Sequence, residues 1–203
     1  AEEFAEERAV FGKGELRGYI DLEGKVVVEP RYRHALAFVD GLALVAEHDQ
    51  YEQGGFGFID RTGAVAIPLR LECAGTFHKG FAVASKKGKW GFLDRKGSFL
   101  FEPRFDQCQY LVDDRAAARI GSKWGVVDGR GEAIIPFTHE RIGPQGMWFM
   151  AGTEKSTTVY DARSGERLFR VPYSTLGEPR DGMVSFASSY EGPFGYLDLT
   201  GKV

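Results

Sequence analysis

Six aspartates recur along this 203-residue chain, and carboxylates at a regular spacing could bind metal ions or transfer protons. They are Asp21, Asp60, Asp94, Asp128, Asp161 and Asp198. Calcium loops need several oxygen donors close together in sequence, whereas each of these segments offers one Asp followed by a Gly three or four residues later. The favoured interpretation is a tight turn, in which the Asp side chain accepts hydrogen bonds from the backbone of its own turn.

Other residues that could do chemistry are scattered. The four histidines, His34, His48, His78 and His139, show no spacing typical of metal ligands. Cys73 and Cys108 each follow a Pro by five residues, which favours two buried free thiols over a disulfide. Nucleophile elbows, phosphate-binding loops and zinc-protease motifs do not occur. We therefore expect no catalysis, no cofactor and no metal site.

The elements around these aspartates repeat with a period of 33 to 39 residues. Each repeat has an apolar segment, then an aromatic or bulky residue, a Gly, two apolar residues and the Asp turn, and finally an apolar segment that reaches a Pro. The central segments are RGYIDLEG (17–24), FGFIDRTG (56–63), WGFLDRKG (90–97), WGVVDGRG (124–131), TTVYDARSG (157–165) and FGYLDLTG (194–201). This periodicity is typical of repeat architectures.

Each repeat predicts three short antiparallel strands, called here the first, central and third strands. The Asp turn joins the central strand to the third, and Pro is expected to end the third strand. The fold class is therefore all-β, with tandem three-stranded antiparallel units in an open twisted array or a propeller-like ring. Because propeller blades are longer, and because the last repeat stops at Val203 before its third strand, the open array is preferred.

We expect one domain, residues 1–203, with repeats at about 4–37, 38–76, 77–109, 110–143, 144–178 and 179–203. The segments Lys89–Asp94 and Lys123–Asp128 resemble the bacterial WG (KWG) repeats, with their Lys-Trp-Gly and Asp-x-x-Gly elements. The other repeats depart from that pattern, with Arg17 in place of Trp and Thr158 in place of Gly. The resemblance implies a β-rich repeat protein and no common activity.

The repeated aromatic residues Phe56, Trp90, Trp124 and Phe194 have two interpretations. Exposed, they could bind glycans or peptides; buried, they would form the core between neighbouring repeats, which we favour. Gly91 in mid-strand predicts the close approach of another backbone or ring.

Two departures from the pattern supply the candidate contact residues. In the segment Met147, Trp148, Phe149 and Met150, we align Trp148 with the small residues Ala9, Ala43, Ala82 and Ala116 and with Val184. It either compensates for Thr158 in packing, which is preferred, or anchors a partner. The second departure is an insertion near His48 and Tyr51, which is either surface decoration or part of a binding face.

Composition narrows the partners. The net charge is −3, without the basic surplus typical of nucleic-acid binding. No apolar run approaches a membrane span, so membrane insertion is not expected. The acidic start at Ala1 is not a signal peptide, and the missing initiator Met suggests processing or excision; a cytoplasmic location is preferred. We expect a non-catalytic scaffold that binds a protein or peptide. The alternatives are binding of a glycan or cell-envelope polymer through exposed aromatics, and an accessory domain of an enzyme.

Overall fold

The computed structural model describes residues 2–48, 55–112, 114–153, 155–173, 175–177, 179–187 and 194–203. In this described part the chain forms β-strands and turns, and no helix. Such a structure follows from the many Val, Ile, Phe and Tyr residues between turn-forming glycines. Backbone contacts divide the chain into two compact parts, Ala1–Phe105 and Asp106–Val203.

The first part holds the first three central strands. Its strands, as described, are β1 (Ala9–Lys13), β2 (Leu16–Ile20), β3 (Val26–Tyr32), β4 (His34–Ala35), β5 (Leu42–Ala46), β6 (Phe56–Asp60), β7 (Val65–Leu71), β8 (Cys73–Ala74), β9 (Phe81–Lys86) and β10 (Lys89–Asp94).

The second part holds the last three central strands. Its strands, as described, are β11 (Gln107–Val112), β12 (Arg115–Ile120), β13 (Lys123–Val127), β14 (Ala133–His139), β15 (Gly143–Gln145), β16 (Trp148–Gly152), β17 (Thr157–Asp161), β18 (Arg167–Val171), β19 (Thr175–Leu176), β20 (Met183–Ala187) and β21 (Phe194–Asp198).

These strands form six antiparallel sheets of three or four strands, one for each repeat. Their orders are β1-β2-β3, β4-β5-β6-β7, β8-β9-β10, β11-β12-β13-β14, β15-β16-β17-β18 and β19-β20-β21. The predicted all-β repeat architecture is thus confirmed. Five sheets carry a strand that the sequence analysis did not predict, which pairs with the outer side of the first strand (β4, β8, β11, β15 and β19).

The Asp turns have the geometry expected from the sequence. In the second repeat, Oδ1 of Asp60 accepts hydrogen bonds from the backbone N–H groups of Thr62 at 2.9 Å and Ala64 at 3.1 Å. The aspartates of the other five turns also accept a bond from the backbone four residues later or nearer. The Thr62 hydroxyl also donates to Asp60, and these bonds hold the pKa of the carboxyl below its usual value. Turn capping therefore accounts for these aspartates.

The Gly of the central strand is required by a bulge in the third strand. In the fourth repeat, Trp124 pairs with His139 and Val126 with Ile135, so two steps along the central strand match four steps along the third. The extra residues fold over Gly125, where a Cβ atom would lie 2.6 Å from the carbonyl oxygen of Ile135. The first and second repeats show the same shift. At Gly91, for which a close approach was predicted, a Cβ atom would lie 3.2 Å from Cα of Pro103, so that prediction is confirmed.

The prediction that Pro ends each third strand is wrong for three repeats. Pro30, Pro68 and Pro136 lie inside β3, β7 and β14, within the bulge opposite the central Gly. A bulge leaves a residue out of the ladder, so the missing N–H of Pro removes no pairing there. Pro172, in contrast, directly follows β18.

The core lies between the sheets of neighbouring repeats within each part. Tyr19 of the first sheet shares one buried cluster with Ala43, Val45 and Ile59 of the second. Phe58 of the second sheet is buried in the same way against Ala82, Ala84 and Leu93 of the third, and Val159 of the fifth against Val184 and Leu197 of the sixth. Neighbouring repeats therefore bury one another's apolar faces, which a single repeat could not do alone.

Candidate functional site

The predicted contact segment 147–150 is divided between surface and core. Met147 is 66% exposed, whereas Trp148 and Phe149 are 2% and 0% exposed, and Met150 is partly buried. The Trp148 ring meets Phe169 edge to face at 5.7 Å, in the cluster that joins the fifth and sixth sheets. Packing is therefore the interpretation that the structure supports for Trp148, and its ring offers no surface to a partner.

The alignment of Trp148 with the small residues is wrong by one position. Ala9, Ala43, Ala82, Ala116 and Val184 each pair with the residue that precedes the turn Asp, and in the fifth repeat the residue in that place is Phe149, which pairs with Tyr160. Trp148 pairs with Asp161 itself. The fifth repeat has one extra residue, Met147, between Gly146 and the first strand, and this shifts any count made from the Gly.

The other predicted contact residues lie in the insertion of the second repeat. His48 is exposed near its start, two residues after the end of β5. Tyr51 lies outside the described residues.

The aromatic residues of the central strands have two different environments. Phe56 is buried, and Trp90 and Trp124 are partly buried, with the guanidinium of Arg119 placed 6.0 Å from the ring centre of Trp124. Core packing therefore explains Phe56, whereas Trp90 and Trp124 keep part of their surface exposed. Phe194 is 71% exposed, so the expectation of core packing is wrong for the last repeat.

The sixth sheet ends in an exposed central strand, β21. Its residue Tyr196 is 64% exposed, although the equivalent residues Tyr19, Phe58, Phe92 and Val159 are at most 1% exposed. In the described chain β21 pairs with β20 alone, and its other edge carries no strand. We call this edge, with the side chains of Phe194 and Tyr196, the β21 edge.

Backbone groups point outward along the β21 edge. In the third repeat, the N–H of Trp90 donates to Phe105 at 2.8 Å, and the carbonyl of Phe92 accepts from Leu100 at 2.9 Å. Phe194 and Tyr196 occupy the equivalent positions, so their N–H and C=O groups face the open side of the sheet. A shallow groove of about 540 Å³ lies beside them, lined by Phe186, Phe194 and Tyr196.

A second concave region, the repeat-five cleft, lies between the fourth and fifth sheets and has a volume of about 350 Å³. Its lining includes three cations, Lys123, Arg167 and Arg170, and one carboxylate, Glu140. Lys123 Nζ lies 4.0 Å from Glu140 Oε1. Since one carboxylate faces three cations among the described residues of the lining, this lining favours anions.

Hydroxyl groups and one histidine complete the repeat-five cleft. Ser156, which is 9% exposed, accepts a hydrogen bond from Nη2 of Arg170 at 3.0 Å and lies 3.1 Å from the Thr153 hydroxyl. The Tyr160 hydroxyl lies 3.0 Å from Nε2 of His139. Burial, and secondarily the charge of Lys123, lowers the pKa of His139, so the imidazole is neutral at pH 7.

The Tyr160 hydroxyl stays protonated at neutral pH. Burial raises the pKa of Tyr160, and the nearby charges of Arg167 and Arg170 oppose that effect. The phenol can therefore donate a hydrogen bond to a ligand or to His139.

Within the described ranges no three His, Cys, Asp or Glu side chains converge as a metal-binding group. Both cysteines are free thiols, but Cys108 is buried whereas Cys73 is partly exposed, so the predicted burial is wrong for Cys73. Burial raises the pKa of Cys108 to about 12. A search of the described residues also finds no helix long and apolar enough to cross a membrane.

Sequence reasoning missed both surfaces, although signals for them were present. The polar run Ser156–Thr158 and Tyr160 stand where the fourth repeat has Lys123, Trp124, Gly125 and Val127. For the β21 edge the signal is the pair of aromatic residues Phe194 and Tyr196 on a strand that pairs with β20 alone in the described chain. Neither signal identifies Arg167 and Arg170, because their approach to Lys123 depends on how the two sheets pack.

The sheets and their repeated cores define a class of protein. The solved structures that this chain resembles are propeller-like proteins. They include the computationally designed protein Ika8 (15% identity, TM-score 0.54, covering 97% of this chain and 69% of that chain). A eukaryotic initiation factor is also similar (10% identity, TM-score 0.63, covering 97% of this chain and 61% of that chain). So is Hsv2 from Kluyveromyces lactis (8% identity, TM-score 0.57, covering 97% of this chain and 73% of that chain). The chain spans about three fifths of that initiation factor. At these identities the likeness concerns the fold alone.

The chain belongs to the WG repeat family. The family model, described as WG containing repeat, matches residues 18–51, 56–90 and 90–124, together just over half of the sequence. No protein with a curated description matches the chain.

Proposed function

We propose that this WG-repeat chain is a non-catalytic scaffold that binds a protein partner by adding an extended segment of that partner to the β21 edge. The observation that carries the proposal is the exposure of Phe194 and Tyr196 on a strand whose outer edge is unpaired in the described chain. Strand addition gains affinity from main-chain hydrogen bonds and selectivity from alternate side chains. The β21 edge supplies both kinds of contact.

The other repeats indicate what kind of segment fits. The third strands β3, β7 and β14 bring Val28, Ile67 and Ile135 into the core, and these side chains are at most 4% exposed. The partner segment should therefore be extended, with apolar residues at alternate positions and a Pro where the backbone bulges over the central Gly.

In the sixth sheet, the ring of Phe186 occupies the space over the central Gly, Gly195. A Cβ atom on Gly195 would lie 2.6 Å from the Phe186 ring, which stacks at 3.9 Å on Tyr173. A partner strand that bulges over Gly195, as β3 does over Gly18, would therefore displace this ring when it binds.

A protein partner is favoured over a glycan by where the aromatic rings are exposed. Glycan binding through the repeats would need a row of exposed rings, but Phe56 is buried and Trp90 and Trp124 are partly buried. The exposed aromatic residues of the described chain are Phe4, Phe194 and Tyr196, and the last two lie together on the β21 edge. One apolar strand edge suits a peptide better than a polymer of sugars.

The first test uses a third strand of the chain itself as the probe. A labelled peptide with the sequence of Lys25–Tyr32 should bind the full chain, as measured by fluorescence anisotropy. N-methylation at alternate residues in one register should weaken binding at least about tenfold, because the methyl groups block hydrogen bonds worth about 1 kcal/mol each. N-methylation in the other register should change it little. The absence of binding, or equal losses in both registers, would refute strand addition.

A fused variant provides a control that does not depend on peptide affinity. Gly201-Lys202-Val203 matches Gly24-Lys25-Val26, and the N–H of Asp198 bonds the Lys202 carbonyl as that of Asp21 bonds Lys25. Fusing the sequence of Val27–Tyr32 after Val203 should therefore complete the sheet, raise the melting temperature and abolish peptide binding. A fused chain that still binds the peptide would place the peptide site elsewhere.

A further inference from the structure

We propose that the repeat-five cleft is a second binding site, which takes a polyhydroxylated organic anion such as an acidic sugar. This site is separate from the β21 edge, and it involves no bond making or breaking. Its lining combines cations with hydroxyl groups, and its volume of about 350 Å³ lies within the range of small-molecule sites.

The anionic group of the ligand would be held by Arg167, Arg170 and Lys123. The bond from Arg170 to Ser156 uses one of the five N–H donors of a guanidinium and fixes its position at the cleft. Arg167 lies close enough to affect the Tyr160 hydroxyl together with Arg170. A fixed guanidinium loses less entropy on binding an oxyanion than a free one does.

The rest of the ligand would face hydroxyl groups. Thr153 and Ser156 lie on one side, with Thr158 and Tyr160 on β17. A hydroxyl both donates and accepts hydrogen bonds, so this lining complements the hydroxyls of a sugar and leaves an apolar ligand without compensation for the polar groups it would cover. The cleft, lined mostly by polar atoms, thus selects against apolar molecules.

The polar lining is specific to the fifth repeat. At the equivalent positions of the fourth repeat, Trp124, Gly125 and Val127 form an apolar strand. Ser156 and Thr157 are buried, and their hydroxyls are hydrogen-bonded, to the Arg170 guanidinium and to the Tyr173 carbonyl, which offsets the cost of burying them. The fifth repeat therefore has a polar strand where the fourth has an apolar one.

The test is calorimetric titration of the full chain with glucose 6-phosphate, glucuronate, glucose and inorganic phosphate. At least one of the two acidic sugars should bind at least about tenfold more tightly than glucose or phosphate alone, since charge and hydroxyls both contribute. If neither acidic sugar binds, or if inorganic phosphate binds as tightly as the sugar phosphate, the assignment to an acidic sugar is overturned.

Variants locate the site. Arg170→Met and, separately, Arg167→Met should each weaken binding of the acidic sugar about tenfold or more. Both side chains are exposed, so the melting temperature should stay close to that of the parent chain. The matched control is Arg163→Gln, an exposed arginine in the Asp161 turn, which should bind normally. Equal binding by parent, R170M and R167M would overturn the proposal.

Discussion

The fourth and fifth repeats are neighbours in the second part of the chain. Each forms its own four-stranded sheet with the same strand order, but the third strands of the two sheets pair differently. In the fourth, Gly125 lies under a third strand that bulges by two residues, and Pro136 is inside the bulge. In the fifth, the third strand runs in register past Thr158, which pairs with Arg170. The Gly of the repeat is therefore a requirement of the bulge, not of the sheet.

The same comparison explains the bulky residues of the fifth repeat. The pair Ala116 and Val127 of the fourth sheet is replaced by Phe149 and Tyr160. Phe149 fills the layer between the two sheets, in a cluster with Val126 and Ile135, and Tyr160 reaches His139 at the cleft. The fifth repeat therefore has a larger pair of residues at this position, and one of them, Tyr160, also lines the polar cleft.

The largest expected effect comes from Trp148, which stands where the fourth repeat has Arg115. Trp148→Ala should lower the free energy of unfolding by about 3 to 5 kcal/mol, because it leaves a cavity beside Phe169. Denaturant unfolding measures this loss, and the control Met147→Ala, at an exposed neighbour, should stay within about 0.5 kcal/mol. A Trp148→Ala chain as stable as its parent would show that the ring is not part of the core.

The next effect tests the bulge directly. Gly125→Val should cost about 1 to 3 kcal/mol, since the new side chain meets the Ile135 carbonyl. Thr158→Val replaces a hydroxyl by a methyl group beside a third strand that has no bulge at this point. It should therefore lower the free energy of unfolding by less than Gly125→Val does. Thermal unfolding of both variants decides the comparison. If the two losses are equal, the third strand of the fourth repeat adapts to a side chain, and the bulge does not explain the Gly.

The smallest effect concerns the turn of the fifth repeat. Bonds from the backbone and then the hydroxyl of Ser164 lower the pKa of Asp161, as the bonds of Thr62 do for Asp60. A carboxyl whose pKa is lower in the folded chain adds stability above its unfolded value of about 3.8, and that stability is lost as the pH falls further. Asp161→Asn should therefore narrow the difference in melting temperature between pH 6 and pH 3. An unchanged pH profile would mean that the bonds to Asp161 do not differ between its two protonation states.

Much of the fold could be predicted because each repeat contains local sequence patterns for its strands and turns. The alternation of Trp90 and Phe92 with Gly91 and Leu93 predicts a strand, and the Asp turn predicts its hairpin. The short strands β4, β8 and β19 have two residues each, too few for any pattern. They form because the first strand of each sheet offers a free edge, which is a property of the assembled sheet.

The candidate sites were harder to predict for a different reason. A count from Gly146 aligns Trp148 with the small residues of the other repeats. Because Met147 is an extra residue, the pairing of strands aligns Phe149 with them instead. The cleft depends on residues from β13, β14, β17 and β18, which are brought together by packing of two sheets. The exposure of Tyr196 follows from the absence of a covering neighbour in the described chain, which the residue type itself does not encode.

The two thiols differ enough to serve as chemical reporters. Cys73 on β8 is partly exposed, while the thiol of Cys108 on β11 is buried and its pKa is raised to about 12. An alkylating reagent attacks the thiolate, so it modifies Cys73 first and reaches Cys108 when β11 detaches from β12. The rate of the slower reaction, at Cys108, then measures how often β11 separates from β12, without any added label.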